Sequence, residues 1–264
     1  MMMKNRVWLS VDTDDFQYLP SVQGHKSRSK GKSIDVASYH PSETLTQGFA
    51  GFCLWMQTND YPVTIFVIAS QLENEKFRLL LSNIIEEFPD RITLGCHGYD
   101  HRSWSSFEPD VEKFSAMLEK SNQLITDFDS SRYKKWFRAP SGYFASWMAE
   151  PLKRAGFVVD SSINPSIIMN YKYGSSNHKQ TMAAINSSGL IERPWKCKNG
   201  LPVCGPALFK FPLSINSRIA WKNAGEIIPS EQVISEVESS KQIDTFYWHI
   251  LDFSRQNGTW TPRL

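Results

Sequence analysis

Residues 63–96 read VTIFVIASQLENEKFRLLLSNIIEEFPDRITLGC. Val63 to Ile68 is a β-branched and aromatic run, and Glu73 to Phe88 carries helical spacing with Pro89 as its stop. Arg91 to Cys96 is a second short apolar run. A strand, a helix and a strand in that order make a parallel βαβ unit, because parallel neighbours need a crossover long enough to hold a helix. The same alternation extends both ways from this stretch. Upstream, Val7 to Val11 reads as a buried strand and Thr44 to Gln57 as an amphipathic helix. Downstream come a helix from about Pro109 to Phe128, a strand near Lys135 to Phe137, a helix from Ala145 to Arg154 ending at Gly156, and the strand Phe157 to Val159. Leu208 to Leu213 and Thr245 to Trp248 are two further strands around a helix from Ser230 to Lys241. Seven strands separated mostly by helices leave a doubly wound sheet or an incomplete barrel, and the barrel is the preferred reading.

Two segments break the rhythm. About 17–43 is rich in Ser, Lys, Gly and His, and about 164–205 places Pro, Gly, Asn and Ser between apolar patches. Both are read as long loops within one domain spanning 1–264. In a βα architecture such loops border the site, which lies where strands end.

Composition bounds the partners. With 29 basic and 27 acidic residues the net charge is +2, which gives no general electrostatic reason to expect nucleic acid or an anionic membrane. No apolar stretch approaches the roughly 20 residues of a membrane span, and the N-terminal residues show no apolar signal core. A cytoplasmic protein without stable membrane insertion is expected. The four cysteines, at 53, 96, 197 and 204, form no Cys-x-x-Cys pair. Free thiols are the simpler reading over a loop closed between Cys197 and Cys204.

The chemistry-bearing residues stand at the carboxyl ends of the expected strands: Asp12 and Asp14, His97, Arg138, Asp160 and His249. That is how a barrel gathers a site on one rim. His97 and His101 are four apart, which on a helical turn would place both imidazoles on one face, a spacing suited to a shared metal. Six histidines in 264 residues produce such a pair by accident often enough that it needs corroboration. Two imidazoles and one carboxylate, with Asp14 as the candidate, form a set that leaves positions open for water, as catalytic metal sites do. Asp12, Asp14 and Asp15 crowd three carboxylates into four positions, costly unless a cation or a proton offsets the charge. The plain alternative is an acidic turn. If Asp14 binds metal, Asp12 faces the same side and can take a proton from a water there, with Arg138 pairing to it and orienting it.

These segments resemble an ordered set of family motifs. Ser10-Val11-Asp12-Thr13-Asp14, His97-Gly98-Tyr99-Asp100-His101, Arg138-Ala139-Pro140-Ser141-Gly142, Asp160-Ser161-Ser162 and Tyr247-Trp248-His249 look like the five motifs of the polysaccharide deacetylases, carbohydrate esterase family 4. The Asp-x-Asp first motif is similar to an intracellular branch that includes enzymes of O-antigen assembly. The resemblance implies a distorted seven-stranded (β/α) barrel, TIM-like, that removes an N-acyl group from a small-molecule or carrier-linked amino sugar. It implies one divalent ion, zinc foremost with Co, Mn, Ni or Fe as alternatives, held by Asp14, His97 and His101. It also implies Asp12 as base, Arg138 orienting it, the Ser141 backbone amide at the oxyanion, and His249 as general acid tuned by Asp160. Two departures stand out. Many extracellular members have Thr-Phe-Asp-Asp-Gly in the first motif, which keeps Asp15 as a second candidate ligand. Asn164 stands where a Trp is common, so the wall of the acyl pocket must come from Trp195 or Trp248.

Weaker signals surround this core. Lys26, Arg28, Lys30 and Lys32 put four cations in seven residues, read either as a solvated loop or as a grip on a phosphate at the barrel mouth. Tyr143 and Trp195, with Trp104, Phe144 and Trp147, are candidate sugar-stacking aromatics, each singly as well explained by packing. Two rival functions remain open: hydrolysis of a non-sugar amide or cyclic ureide, and sugar binding without catalysis.

Overall fold

A computed structural model of the chain describes residues 5–30, 38–239 and 241–254. Ten strands are present among them: β1 (Arg6–Asp12), β2 (Val63–Val67), β3 (Ile92–Cys96), β4 (Tyr133–Phe137), β5 (Val159–Asp160), β6 (Ile191–Glu192), β7 (Cys197–Lys198), β8 (Leu201–Pro202), β9 (Glu226–Ile227) and β10 (Ile243–His249). Seven of them form a parallel path in the order β10-β1-β2-β3-β4-β5-β6, with β9 beside β1. Beyond β6 the chain runs to Trp195, which makes a parallel bridge to Thr245 of β10, and Lys196 N donates to the Thr245 carbonyl at 2.8 Å. This narrow seam brings the two ends of the path together. The fold is the distorted seven-stranded barrel expected from the sequence.

The helices are α1 (Glu43–Thr58), α2 (Glu75–Glu87), α3 (Val111–Asp129), α4 (Ala149–Arg154), α5 (His178–Ser188), α6 (Leu213–Lys222) and α7 (Val233–Val237). The longer ones start on side-chain caps: Ser42, Asn74 and Asp110 each accept from a first-turn amide, satisfying donors that the helix itself leaves unpaired. One expected strand is absent. Residues 208–213 close a 3-10 turn (Gly205–Leu208) and open α6; Pro212 lies inside the run and would cost a strand there a ladder donor. The seventh parallel strand is β6 instead, two residues long and inside the segment read as a loop over 164–205. That segment also holds α5 and the β7–β8 hairpin.

Strand alternation separates two cores. Val7, Leu9 and Val11 join Val63, Ile65 and Val67 in the outer layer against the helices. Trp8, Phe66, Trp136, Val159 and Ile243 fill the barrel interior, with the Trp8 ring 5.9 Å from Phe66 and 5.5 Å from Trp136. The base of the barrel is therefore plugged by aromatic rings, and inward-facing polar residues further along the strands collect at the carboxyl-end rim. Among the described residues no helix is long and apolar enough to cross a membrane, and all four cysteines are free.

Candidate active site

The parity that turns Trp8 inward also turns Ser10 and Asp12 inward. In the β1–β10 ladder Asp12 is the direct partner of His249, so the first and last long strands place their terminal residues side by side. One step higher, Asp14 faces the two histidines: His101 Nε2 lies 3.0 Å from its Oδ1 and His97 Nε2 lies 3.4 Å from its Oδ2. Asp15 is turned elsewhere. Its carboxylate accepts from Phe16 N (2.7 Å), Ser42 Oγ (2.6 Å) and Ser42 N (2.8 Å), tying the loop after β1 to the start of α1. Of the two candidate carboxylates, Asp14 is the one against the imidazoles.

His97 and His101 do not share a helical turn. Residues 97–101 form a bend after β3 in which Gly98 (φ 75°) and His101 (φ 57°) are left-handed, and the reversal brings the two ring centroids to 5.0 Å. A positive φ at a non-glycine residue is a conformation the surroundings must hold in place. Here His97 Nδ1 donates to the Arg138 carbonyl at 2.8 Å and His101 Nδ1 to the Tyr18 carbonyl at 2.6 Å. A carbonyl only accepts, so each Nδ1 carries the proton and each Nε2 presents a lone pair. Two lone pairs aimed at a carboxylate repel unless a cation lies between them or a second proton on the imidazole takes its place. In keeping with this, His101 Nε2 and Asp14 Oδ2 are buried without a hydrogen-bond partner. Ligands about 2.1 Å from a tetrahedral ion stand about 3.4 Å from one another, close to the spacings here. The donor set fits a divalent ion. Burial would raise the Asp14 carboxyl, but His101, then His249 and His97, hold it well below the ordinary value.

Arg138, fully buried, organises the floor of the site. Nη1 donates to Asp12 Oδ1 at 2.6 Å, Nη2 to Ser10 Oγ at 2.7 Å and Ser161 Oγ at 3.1 Å, and Nε to the Ser161 carbonyl at 3.1 Å. Asp12 Oδ1 is thereby occupied, while Oδ2 faces the cluster, 3.9 Å from His97 Nε2. Beyond Arg138, Ser141 is left-handed (φ 53°, ψ 19°). Gly142 follows it, and a Cβ there would lie 2.6 Å from the Trp195 ring. Trp195 is itself buried, donates Nε1 to the Ser161 carbonyl at 2.7 Å and packs 4.4 Å from the Tyr247 ring. Trp195 and Tyr247 line the side of the site.

Two of the sequence-derived assignments land elsewhere. Trp248 alternates outward from Tyr247 and His249 and is buried against Trp55 (5.5 Å) and Trp221 (5.7 Å), so it is a core residue and no pocket wall. Asp160 lies between inward-facing Val159 and Ser161 and therefore faces away from His249. It is the ladder partner of Glu192 and accepts from Ser162 Oγ at 2.6 Å. The carboxylate at His249 is Asp252, whose Oδ2 takes hydrogen bonds from His249 N (3.0 Å) and Nδ1 (3.1 Å). A His-x-x-Asp spacing in a turn after a strand was the available signal for it. Burial works against the charged form of His249, yet Asp14, Asp252 and Asp12 push its imidazole up to about 9. One ring nitrogen of His249 and carboxylate oxygens of Asp12 and Asp14 lie within 4.8 Å of one another.

The basic run divides. Lys26 pairs with exposed Glu108 at 2.9 Å and Lys30 is exposed, while Lys32 lies outside the described residues. Arg28 reaches over the mouth, with Nη1 3.5 Å from Tyr143 Oη.

Residues 44–159 match the model of the polysaccharide deacetylase family. The matched segment includes His97, His101, Arg138 and Ser141. No curated protein sequence matches the chain. Among solved structures, a putative polysaccharide deacetylase from Mycobacterium smegmatis superposes with a TM-score of 0.55 at 14% identity, over 96% of this chain and 79% of that one. A pseudoenzyme of carbohydrate esterase family 4 from Bacillus anthracis aligns at TM-score 0.46 and 13% identity, over 93% of this chain and 69% of that one. A 4-alpha-glucanotransferase from Thermococcus litoralis gives 0.50 at 11%, over 98% of this chain and 35% of that one. Likenesses at so low an identity bear on the fold and leave the chemistry to the residues of the site. The similarity to the polysaccharide deacetylase family covers residues 44–159, and the fold resembles that of the Mycobacterium smegmatis protein over nearly the whole chain.

Proposed function

We propose that the protein hydrolyses an N-acyl group, acetyl foremost, from an amino sugar. The observation that carries this reading is the meeting on one rim of Asp14, His97 and His101 with the Arg138-bound Asp12 and the Asp252-bound His249. A divalent ion held by Asp14, His97 and His101 would supply Lewis acidity, polarising the amide carbonyl and acidifying water. Asp12 Oδ2 accepts the proton of the attacking water as its oxygen bonds to the carbonyl carbon. The backbone amide of Ser141, beside Gly142 and Trp195 at the side of the site, receives the oxyanion that forms. His249 donates its proton to the nitrogen as the C–N bond breaks, because an amide anion is a poor leaving group. The products are acetate and the free amine.

The Asp12-Thr13-Asp14 form of the first motif supports an intracellular precursor over a finished polymer, in surface-polysaccharide or O-antigen assembly, with the enzyme in the cytoplasm. The test is acetate release from a panel of free, nucleotide-linked and polymeric N-acetyl amino sugars, with Zn, Co, Mn or Ni supplied. Acetate and free amine should appear in equal amounts with at least one substrate. A folded, metal-loaded protein that releases no acetate from any of them overturns the reading.

A further inference from the structure

Lys172, which none of the sequence motifs includes, sits at the edge of the site. It lies in the 3-10 segment Ile167–Tyr173 within the long insertion. Its Nζ donates to the Ser141 carbonyl at 2.6 Å and stands 5.6 Å from the centroids of both the Tyr143 and Trp195 rings. Arg28 brings its guanidinium to the hydroxyl of the same tyrosine. The loop that presents Arg28 is built for the purpose: His25 Nδ1 accepts from the backbone amides of Ser27 and Arg28 at 3.2 Å each, its ring packs edge-on to Tyr143 at 4.9 Å, and Ser103 N donates to the Gly24 carbonyl at 2.7 Å. Two cations from separate insertions thus converge on one tyrosine. Among the described residues neither makes a salt bridge to a carboxylate, whereas neighbouring Lys26 does.

Lys172 is half-buried with the like charge of exposed Arg28 near it, and the arrangement is costly unless an anion completes it. Burial, and after it the charge of Arg28, push the Lys172 ammonium down to about 8. A cleft of about 370 Å³ opens beside the pair, with His25, Ser27, Tyr143 and Tyr171 in its wall.

We propose that Arg28 and Lys172 form a subsite for a phosphate carried by the substrate, next to the acyl group bound at Ser141. A guanidinium fork and an ammonium together match the charge of a dianion, and each donates only to acceptors. The subsite rests on the deacetylase reading for its relation to the sugar, but its occupancy is measured without turnover.

Calorimetry on the metal-loaded protein should compare N-acetylglucosamine 1-phosphate, UDP-N-acetylglucosamine and N-acetylglucosamine itself. A phosphorylated ligand should bind the parent about tenfold or more tighter than the neutral sugar, the worth of charge-assisted hydrogen bonds. The ratio should collapse toward one in R28Q/K172M and survive in K172R. Preference for the 1-phosphate assigns the site to a monoester, and preference for the nucleotide sugar assigns it to a diphosphate linkage. Should K172M fail to fold, R28Q alone, at an exposed position, must still reduce the ratio. Equal affinity for charged and neutral sugars in the parent, or a ratio the variants leave untouched, overturns the subsite. If acetate release is then found with neutral sugars, the deacetylase reading stands without it.

Discussion

Two pairs of carboxyl groups sit at strand ends of this barrel and behave oppositely. Asp12 ends β1 and Asp14 follows it, and Asp160 and Glu192 end β5 and β6. Around the first pair stand Arg138, His97, His101 and His249, so positive and proton-donating groups outnumber the negative ones, and Asp14 is held well below its ordinary value. Around the second pair the close contacts are the Ser162 hydroxyl and the amides of Ser162 and Ile163, while Glu192 Oε2 is buried without a hydrogen-bond partner. Burial there prevails and pushes Asp160 up to about 6, with Glu192 raised well above its ordinary value by burial and by Asp160. All four groups are carboxyls; the neighbours decide which pair carries the proposed ion and proton chemistry and which is held toward its protonated form.

The sharpest way to break that contrast is to remove a histidine from the first pair. His97→Ala should lose both bound metal, read by elemental analysis after dialysis, and all detectable acetate release. Full metal content in that variant would remove the proposed ligand role. Asp12→Asn keeps the ligand set and should retain metal while turnover falls by about 10²-fold or more, the effect of a positioned proton acceptor. Near-normal turnover there would mean that the base is another group.

Asp252→Asn tests the carboxylate that stands at His249. Removing its charge should lower turnover by about 10–100-fold, the range for losing the partner that orients a functional imidazole. Because Asp252 is one of the groups raising His249, the imidazolium should also lose its proton at lower pH, moving the alkaline limb of the rate profile to the acid side. Asp160→Asn should leave that limb in place. The reverse result would restore to Asp160 the role that the family motif implies.

The long strands and the rim residues were legible in the sequence because each rests on a local signal: a β-branched run, a capped helix, a ligand-type residue one step past a strand. What escaped depended on contacts between distant segments. β6 has two residues and shows no periodicity; only its pairing with β5 and the seam from Trp195 to Thr245 make it part of the barrel. Trp248 and Trp195 look alike as letters, and strand parity sends one to the outer core and the other to the site. The His97–His101 spacing suggested a helical turn, whereas Gly98 and His101 take left-handed conformations that fold the loop back. Lys172 gave no sign at all, because it is 31 residues from the Ser141 carbonyl it binds.

The smallest expected effect concerns the second pair and is one of stability. Asp160 and Glu192 are raised in the fold, so the protonated pair is favoured there. Their contribution is fully present below about pH 4, where both are protonated in the unfolded chain as well. It is lost as pH rises through about 6 for Asp160, and further on for Glu192. Glu192→Gln keeps an acceptor for the Ile163 amide, now 3.3 Å from Oε1, and can turn an N–H toward Asp160, so that an ionised Asp160 meets a donor in place of a second acid. The variant should therefore melt higher than the parent at pH 8, by roughly 2–4 °C for each kcal/mol relieved, and the gap should close toward pH 4. Metal content and turnover should change little, since Glu192 touches neither the histidines nor Asp12. A melting difference independent of pH between 4 and 8 would show that the two acids do not share a proton in the fold, and would dissolve the contrast between the pairs.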